Sequence, residues 1–567
     1  MIQNIKTIYK ALSPKRKRGF IILTILSLIS PAVDIYSVSA LLNILNKMAT
    51  FGTNAEIVRA LIFLGVLVLL KGLFDLVIVK VQSNWSSESV RELSSEMFSF
   101  LFEEDLMSHN SHSLNQCITY VRNDVETAIS TLNVIKSLLI NIIMFIGFAV
   151  VMIVAAPIPA IVCILIILIC IILGYILNRK RISVYGEQQR QLSILLYGYI
   201  TISYTVYKEI KNDQRKYNII NRFDNVAKDY AKVQRKYSLL SSLMSVIMQS
   251  FLQSAIFFAI VLIAIFSYSI STILPAAIML ITLLLKILPV AGSVLSNLNG
   301  IIYSKKSCEV FATNHSNYVD LIKNSKKQNE LRQKQLSFKH GLHIEGLTFA
   351  YPNCETLYEN ANLDVPVGKS VAVIGPSGSG KTTLLDLVVG HLPAQNGKIM
   401  FDDYDVASGT DSEGRCAANL GDIISYIPQQ IGVNSLSVTE NVTFMSDKEL
   451  NMDKVIDCLK CAKIYDTVLK MPDGLDTKLG VYGYNVSGGE KQRIGLARAL
   501  YKDFELLIMD EATAALDMET EASVIDAIRE MKKGKTLLIV THHLSLAKEC
   551  DIVYKIENKK LVPTSLK

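Results

Sequence analysis

Nine consecutive residues, Gly375-Pro376-Ser377-Gly378-Ser379-Gly380-Lys381-Thr382-Thr383, have the types and order that could hold a chain of phosphates. They fit G-x-x-x-x-G-K-[ST], in which glycines let backbone N–H groups close around phosphate oxygens. Ser370-Val371-Ala372-Val373-Ile374 before them reads as a buried strand, and Leu384-Leu385-Asp386-Leu387-Val388-Val389 after them as a helix. A helix N-terminus adds positive partial charge, and strand, glycine loop and helix are the context this motif requires. Lys381 is expected to reach the β- and γ-phosphates, and Thr382 to ligate Mg²⁺. A glycine-rich turn can match such a pattern by chance; the strand and helix on either side argue for a nucleotide site.

More residues of a chemical kind follow in a fixed order. Tyr351, in Gly346-Leu347-Thr348-Phe349-Ala350-Tyr351, offers a ring that could stack on adenine or fill the core face of a strand. Gln429 follows Ile427-Pro428, and Val486-Ser487-Gly488-Gly489-Glu490 opens a helical run over 491–501. Leu506-Leu507-Ile508-Met509-Asp510-Glu511 is an apolar strand ending in two carboxylates. Leu537-Leu538-Ile539-Val540-Thr541-His542 is another, ending in a histidine. Hydrolysis of a γ-phosphate is mostly positioning and charge stabilisation, which suits such a set.

In this order the motifs resemble the nucleotide-binding domain of ATP-binding-cassette (ABC) proteins, from residue 341 to about 560. The resemblance implies ATP and Mg²⁺ as cofactors. Asp510 would help hold the metal together with Thr382 and Gln429, and Glu511 would polarise the attacking water. Gln429 would also sense the γ-phosphate and relay its state, and His542 would contact that phosphate. Ser487, Gly488 and Gly489 resemble the ABC signature, which reads ATP bound on the opposite subunit. One P-loop and one signature per chain then imply a homodimer with two composite sites. The signature departs from L-S-G-G-Q at Val486 and Glu490, and Val481-Tyr482 stand where exporters carry Glu-Arg.

The elements that must position this chemistry occupy less than half of the 567 residues. Half of the chain is hydrophobic and the mean hydropathy is +0.33, with the apolar content concentrated before residue 303. A formal charge of +7 does not by itself imply nucleic acid. The nine cysteines are odd in number and scattered, which suits reduced thiols; Cys458 and Cys461 fall in a helix-like run over 453–469 and read as ordinary helix residues.

Six stretches are long enough to span a bilayer, which takes ~20 apolar residues: 19–43, 57–80, 131–156, 158–177, 238–267 and 271–302. Lys15-Arg16-Lys17-Arg18, Arg179-Lys180-Arg181 and Lys305-Lys306 flank three of them, whereas 155–159 and 267–274 carry no Lys or Arg. This asymmetry predicts both termini and the ATPase domain in the cytoplasm. The chain is expected to be a multi-pass protein of the cytoplasmic membrane, from a bacterium. The basic start is not a signal peptide, because its apolar run is too long and five more follow. The fold class expected is an α-helical membrane domain of six transmembrane helices joined to an α/β P-loop ATPase domain. The divisions are 1–325, a linker at 326–340, and 341–567. Six spans exclude the soluble ABC ATPases that act on DNA or ribosomes, so no nucleic-acid partner is expected.

Six spans and one cassette resemble an ABC half-exporter. In that family, tips of the long cytoplasmic connections, here 107–116 and 208–217, seat in the ATPase domains. Ala32-Val33-Asp34-Ile35-Tyr36-Ser37-Val38-Ser39, Lys71 and Lys286-Ile287-Leu288-Pro289 resemble lipid-linked oligosaccharide flippases, with Lys286 where those carry Arg. The resemblance implies ATP-driven export or flipping of an amphipathic substrate, best matched by a lipid-linked glycan, with membrane lipid as a further partner. Export of a small modified peptide and uptake on an exporter fold remain as alternatives; no N-terminal peptidase is expected. Lys286 is the only charge in 271–302, and charge inside a bilayer costs ~2.5 kcal/mol or more. It either contacts an anionic group of the substrate or pairs with Asp34, since Lys71 and Asp75, four apart, can satisfy each other.

Overall fold

The computed structural model describes all residues except 50–53, 156, 213–215, 267–269, 332–337, 407–409, 412–419, 445–449, 481–482, 512–533 and 567. The chain divides into two compact units, Met1–Glu104 with Ser108–Ile322, and Asp105–Met107 with Lys323–Lys567.

Helices build the first unit. Asn54–Glu103, Pro157–Thr205 and Lys216–Phe266 contain 50, 49 and 51 residues. At 1.5 Å per residue each is about 75 Å long, against ~30 Å of bilayer hydrocarbon. Residues 81–130 and 179–237, the long polar connections between the expected spans, are thus largely continuations of the spanning helices themselves. Among the described residues, Pro14–Leu41, Ile57–Glu103, Leu114–Val154, Ala160–Thr205 and Thr282–Tyr303 are long and apolar enough to cross a membrane. They match the first four expected spans and the second half of the sixth. The fifth, 238–267, falls mainly in helix Lys216–Phe266, but most of its side chains lie outside the described residues.

The first expected span is not one helix but two, Pro14–Leu26 and Ile29–Ala49. Pro31 has no N–H for the Ser27 carbonyl four residues earlier, which frees that carbonyl and breaks the ladder. The Ser27 hydroxyl instead donates to the Leu23 carbonyl at 2.6 Å. Further along helix Ile29–Ala49, Asp34 takes an ion pair at 2.6 Å from Lys71 of helix Asn54–Glu103, with Asp75 at 3.7 Å from the same ammonium. Asp75 also accepts from the Ser30 hydroxyl at 3.3 Å.

Two elements were invisible to hydropathy. Helix Ile2–Ala11 buries Ile8, which joins Trp85, Met97, Ile129 and Phe311 in one apolar cluster. Residues 305–331, too polar to read as a span and running into the expected linker, form helix Lys305–Leu331. Its Cys308, Phe311 and His315 are buried, at the three- and four-residue spacing of one helix face.

The second unit holds two sheets. Antiparallel strands β1 (Gly341–Ala350), β2 (Thr356–Pro366), β4 (Asn396–Phe401), β5 (Tyr404–Asp405) and β6 (Thr410–Asp411) lie in the order β2-β1-β4-β5-β6. The other sheet has the order β11-β10-β3-β9-β8-β7, with β3 (Ser370–Ile374), β7 (Ile424–Ile427), β8 (Leu506–Asp510), β9 (Thr536–Thr541), β10 (Ile552–Glu557) and β11 (Lys560–Pro563). Strands β10, β3, β9, β8 and β7 are parallel. Every residue of β3, β8 and β9 is buried, as expected of a parallel sheet covered on both faces. One core packs the P-loop helix Lys381–Val389 between the sheets. A second gathers Val438, Val455, Leu459, Val468 and Ile494 around helix Gly488–Tyr501.

Candidate functional site

In a parallel sheet the carboxyl ends of adjacent strands open on one crevice, where ligands of α/β folds sit. The register Ile374↔Thr541 and Asp510↔Val540 brings the ends of β3, β9 and β8 level. The P-loop follows β3, Asp510 closes β8 with Glu511 next, and His542 follows β9. Gln429 lies two residues beyond β7, whose Ile427 pairs with Met509. Residues more than a hundred positions apart thus meet because their strands stop together.

Gly378 and Gly380 have φ of +80° and +99°, a region that favours glycine. A Cβ at Gly380 would lie 2.7 Å from the Leu357 side chain. Pro376, Ser377 and Gly378 are exposed, so the rim of the loop is open to a ligand. Lys381 is 6% exposed and donates to the carbonyls of Gly375 and Pro376, both at 3.1 Å. The buried Ser379 hydroxyl has no partner among the described residues.

Glu511 is the hub of the cluster. One carboxylate oxygen lies 3.2 Å from Lys381 Nζ and 3.3 Å from His542 Nδ1; the other accepts from Gln429 Nε2 at 2.9 Å. Burial acts to raise its pKa, but the Lys381 ammonium, then His542, outweigh that and hold the carboxyl below its ordinary value. Glu511 has φ of +44°, uncommon for a side-chain-bearing residue, while its N–H donates to the Val540 carbonyl at 2.9 Å.

Asp510 is 1% exposed and one of its carboxylate oxygens has no partner among the described residues. Burial pushes its pKa up, opposed by a hydrogen bond from the Thr382 hydroxyl. An unpaired buried carboxylate oxygen beside the Thr382 hydroxyl offers hard oxygen donors of the kind that fit Mg²⁺. Tyr426, which a reading by motifs passes over, hydrogen-bonds Asp510 from the neighbouring strand. Its only signal in the sequence is its place three residues before Gln429.

Tyr351 is part-exposed, packs edge-on against Phe349 at 5.1 Å, and its hydroxyl lies 3.2 Å from the Thr383 hydroxyl. Its hydroxyl therefore sits against the first turn of the P-loop helix. Thr383 is buried, whereas Thr382 is exposed.

Ser487, Gly488 and Gly489 stand apart from this cluster in their anchoring, since Val486 and Ile494 pack in the second core. Ser487 caps helix Gly488–Tyr501, and Glu490 closes a capping box: its carboxylate accepts from Ser487 N–H at 2.7 Å, and its own N–H donates to Ser487 Oγ at 3.3 Å. A capping box takes Glu or Gln at this place, so Glu490 holds the helix start much as a glutamine would. Glu490→Ala is expected to cost ~0.5–2 kcal/mol and Glu490→Gln little, read as shifts in the denaturant midpoint. Val481 and Tyr482, and the 514–517 stretch after the acid pair, lie outside the described residues.

Cys458 is buried, which pushes its thiol up to about 11, and Cys461 is exposed; both are free. Among the described residues no cluster of His, Cys, Asp and Glu could hold a metal by itself. In the helical unit Lys286 is exposed on helix Ile270–Tyr303, and Asp34, the partner weighed for it, gives its carboxylate to Lys71 instead.

A P-loop, an acid pair and a histidine on parallel strand ends, with a capped signature helix, define an ATP-binding cassette. Preceded by long membrane-type helices on the same chain, they give the fold of exporter-type ABC proteins. Comparison with known proteins agrees: residues 358–514 match the ABC transporter family. Over 225 residues the chain is 35% identical to the ATP-dependent lipid A-core flippase of Pectobacterium atrosepticum, covering 40% of this chain and 38% of that protein. The flippase of the same name from Escherichia coli strain K12 is 33% identical over 222 residues, covering 39% and 37%. The chain thus spans about two fifths of the length of the curated relatives it matches. A bacterial Atm1-family ABC exporter solved with ATP bound shares the fold over 96% of this chain and 94% of its own, at a TM-score of 0.78 and 19% identity.

Proposed function

We propose that two copies of this chain form an ATPase that flips or exports an amphipathic substrate across the cytoplasmic membrane of a bacterium. The observation that carries the ATPase reading is the Glu511 carboxylate held at once by Lys381, His542 and Gln429. Lys381 and the P-loop N–H groups would grip the β- and γ-phosphates, and Tyr351 would stack on the base. Thr382, Asp510 and Gln429 would hold Mg²⁺, which when bound neutralises charge developing on the phosphates. Glu511 would orient the attacking water and draw its proton, with Gln429 and His542 fixing the carboxylate's direction. Ser487 Oγ and the N–H groups of Gly488 and Gly489, at a helix N-terminus, would bind the γ-phosphate of the partner copy's ATP. That division of labour suits a signature anchored in a core different from that of the P-loop helix.

The substrate class proposed is a lipid-linked glycan, supported by the flippase names of the relatives and by the Asp34, Lys71 and Lys286 residues that resemble oligosaccharide flippases. Both termini and the cassette would face the cytoplasm. Lys286, exposed and without an ion pair among the described residues, would meet an anionic group of that substrate. The test is reconstitution in proteoliposomes with a fluorescent undecaprenyl-linked disaccharide, following ATP-dependent protection from an added glycosidase. Movement from the ATPase side to the other leaflet is expected. ATP turnover without such movement would reject the glycan, and movement toward the ATPase side would reject export. Lys286→Ala is expected to cut transport and substrate stimulation of turnover about tenfold or more, which unimpaired transport would contradict.

A further inference from the structure

We propose that a polar cavity in the helical unit binds a neutral polyhydroxylated group, the chemistry of a sugar headgroup, before it is moved. The proposal rests on the transport reading above and adds where the substrate's polar end is first held. The cavity measures about 490 Å³, within the ~300–1,000 Å³ of small-molecule sites. It lies among the π-helical stretch Thr119–Asp124, helices Pro157–Thr205 and Lys216–Phe266, and the Tyr303–Ser307 junction. Wide π-turns recur at functional sites, because the extra residue re-aims the side chains that follow.

Here the re-aimed residue is Asp124. It is 1% exposed and takes a two-pronged grip from Arg190, with Nε at 3.0 Å and Nη2 at 2.8 Å. The floor is built by backbone contact: a Cβ on Gly186 would lie 2.0 Å from the Tyr303 carbonyl oxygen. Tyr303 is held in turn by stacking on Tyr237, with centroids 3.8 Å apart and planes at 19°.

The lining selects against an anion. Asp124 and Glu126 contribute −2 and Arg190 +1, leaving −1 around the space, and the arginine is already committed to Asp124. The rest of the polar wall is neutral and rich in hydroxyls, among them Thr127, Ser130, Ser193 and Tyr230. Gln189 is the telling member. Its Nε2 donates to the Tyr230 hydroxyl at 2.8 Å, and its buried Oε1 has no partner among the described residues. A buried acceptor left unpaired is costly, and a sugar hydroxyl is a donor of the right kind.

The depth also fits. Arg179-Lys180-Arg181 come within three turns before Gly186 and Arg190 on one helix, and Lys305-Lys306 sit between Ser304 and Ser307. With the proposed topology these basic residues mark the cytoplasmic headgroup level, where the polar end of an inner-leaflet lipid resides.

The test uses the full-length dimer in phosphatidylethanolamine nanodiscs, with a tail-labelled diglucosyl diacylglycerol as probe and maltose and phosphatidylglycerol as competitors. Saturable binding of the glucolipid is expected. Ser130→Trp, which fills the space from an exposed position, and Gln189→Met, which removes the acceptor, are each expected to weaken it about tenfold or more. Gln189→Glu keeps an acceptor oxygen and is expected to stay near wild type, which a merely structural glutamine would not require. Maltose competing as well as the glucolipid would assign the site to soluble saccharides; failure to compete would assign it to a lipid-borne headgroup. No saturable binding, equal competition by phosphatidylglycerol, or undiminished binding in an assembled Ser130→Trp dimer overturns the proposal. ATP turnover of the wild type in the same nanodiscs tests the transport reading separately, so a protein that turns over ATP but binds no glucoside sinks the cavity alone.

Discussion

Replacing Glu511 by glutamine leaves ATP binding intact and lowers turnover by ~10²–10⁴-fold, the range of a lost general base. Glutamine keeps the size of the side chain and an oxygen for Lys381, so the cluster can stay assembled. It cannot draw a proton from water, and its uncharged amide loses the ion pairs that hold the carboxyl ionised. ATP bound at nanomolar to micromolar levels with no phosphate release, and an ATP-trapped closed dimer on a sizing column, are the expected signs. Undiminished turnover in this variant would remove Glu511 from the role assigned to it.

Lys71→Met is expected to destabilise the helical unit by ~3–5 kcal/mol, because it strands Asp34 without its counter-charge. The 2.6 Å pair has both side chains largely covered, at 18% and 14% exposure, and lies within the apolar stretches of two spanning helices. Changing Asp34 to Leu as well is expected to recover most of the loss, since an apolar pair costs little where an unpaired charge costs much. Asp75, 3.7 Å from Lys71, keeps the Ser30 hydroxyl as a donor at 3.3 Å and is left less bare than Asp34. Assembly yield and thermal aggregation of the single and double variants measure this. A double variant as unstable as the single would mean that Lys71 acts through something other than Asp34.

The nucleotide site was legible in the sequence because its residues are tied to short local patterns, each at the end of a buried strand. What brings Lys381, Gln429, Glu511 and His542 together is strand order and register, which the spacing of motifs does not encode. Glu490 read as a departure of uncertain effect, since hydrogen bonding to its own helix start cannot be seen from residue type alone. In the helical half, hydropathy located apolar runs but not their breaks or extensions. The interruption at 27–28 follows from Pro31, a local signal that a length count passes over. Helix Lys305–Leu331 was masked by its charge, although Cys308, Phe311 and His315 carry the helical period. The pairing of Asp34 with Lys71, not Lys286, depends on how two helices face each other, which no single-helix spacing rule reaches.

The central claim, that each ATP site is shared between two copies of this chain, is tested most directly by complementation. Lys381→Ala and Ser487→Arg homodimers are each expected to be inactive, because each carries its defect in both sites. A heterodimer of the two, isolated through different affinity tags, has both defects in one composite site and none in the other. ATPase activity at least several-fold above either parent is the predicted result. A heterodimer as inactive as its parents would mean that each chain completes its own site, and the account would fail.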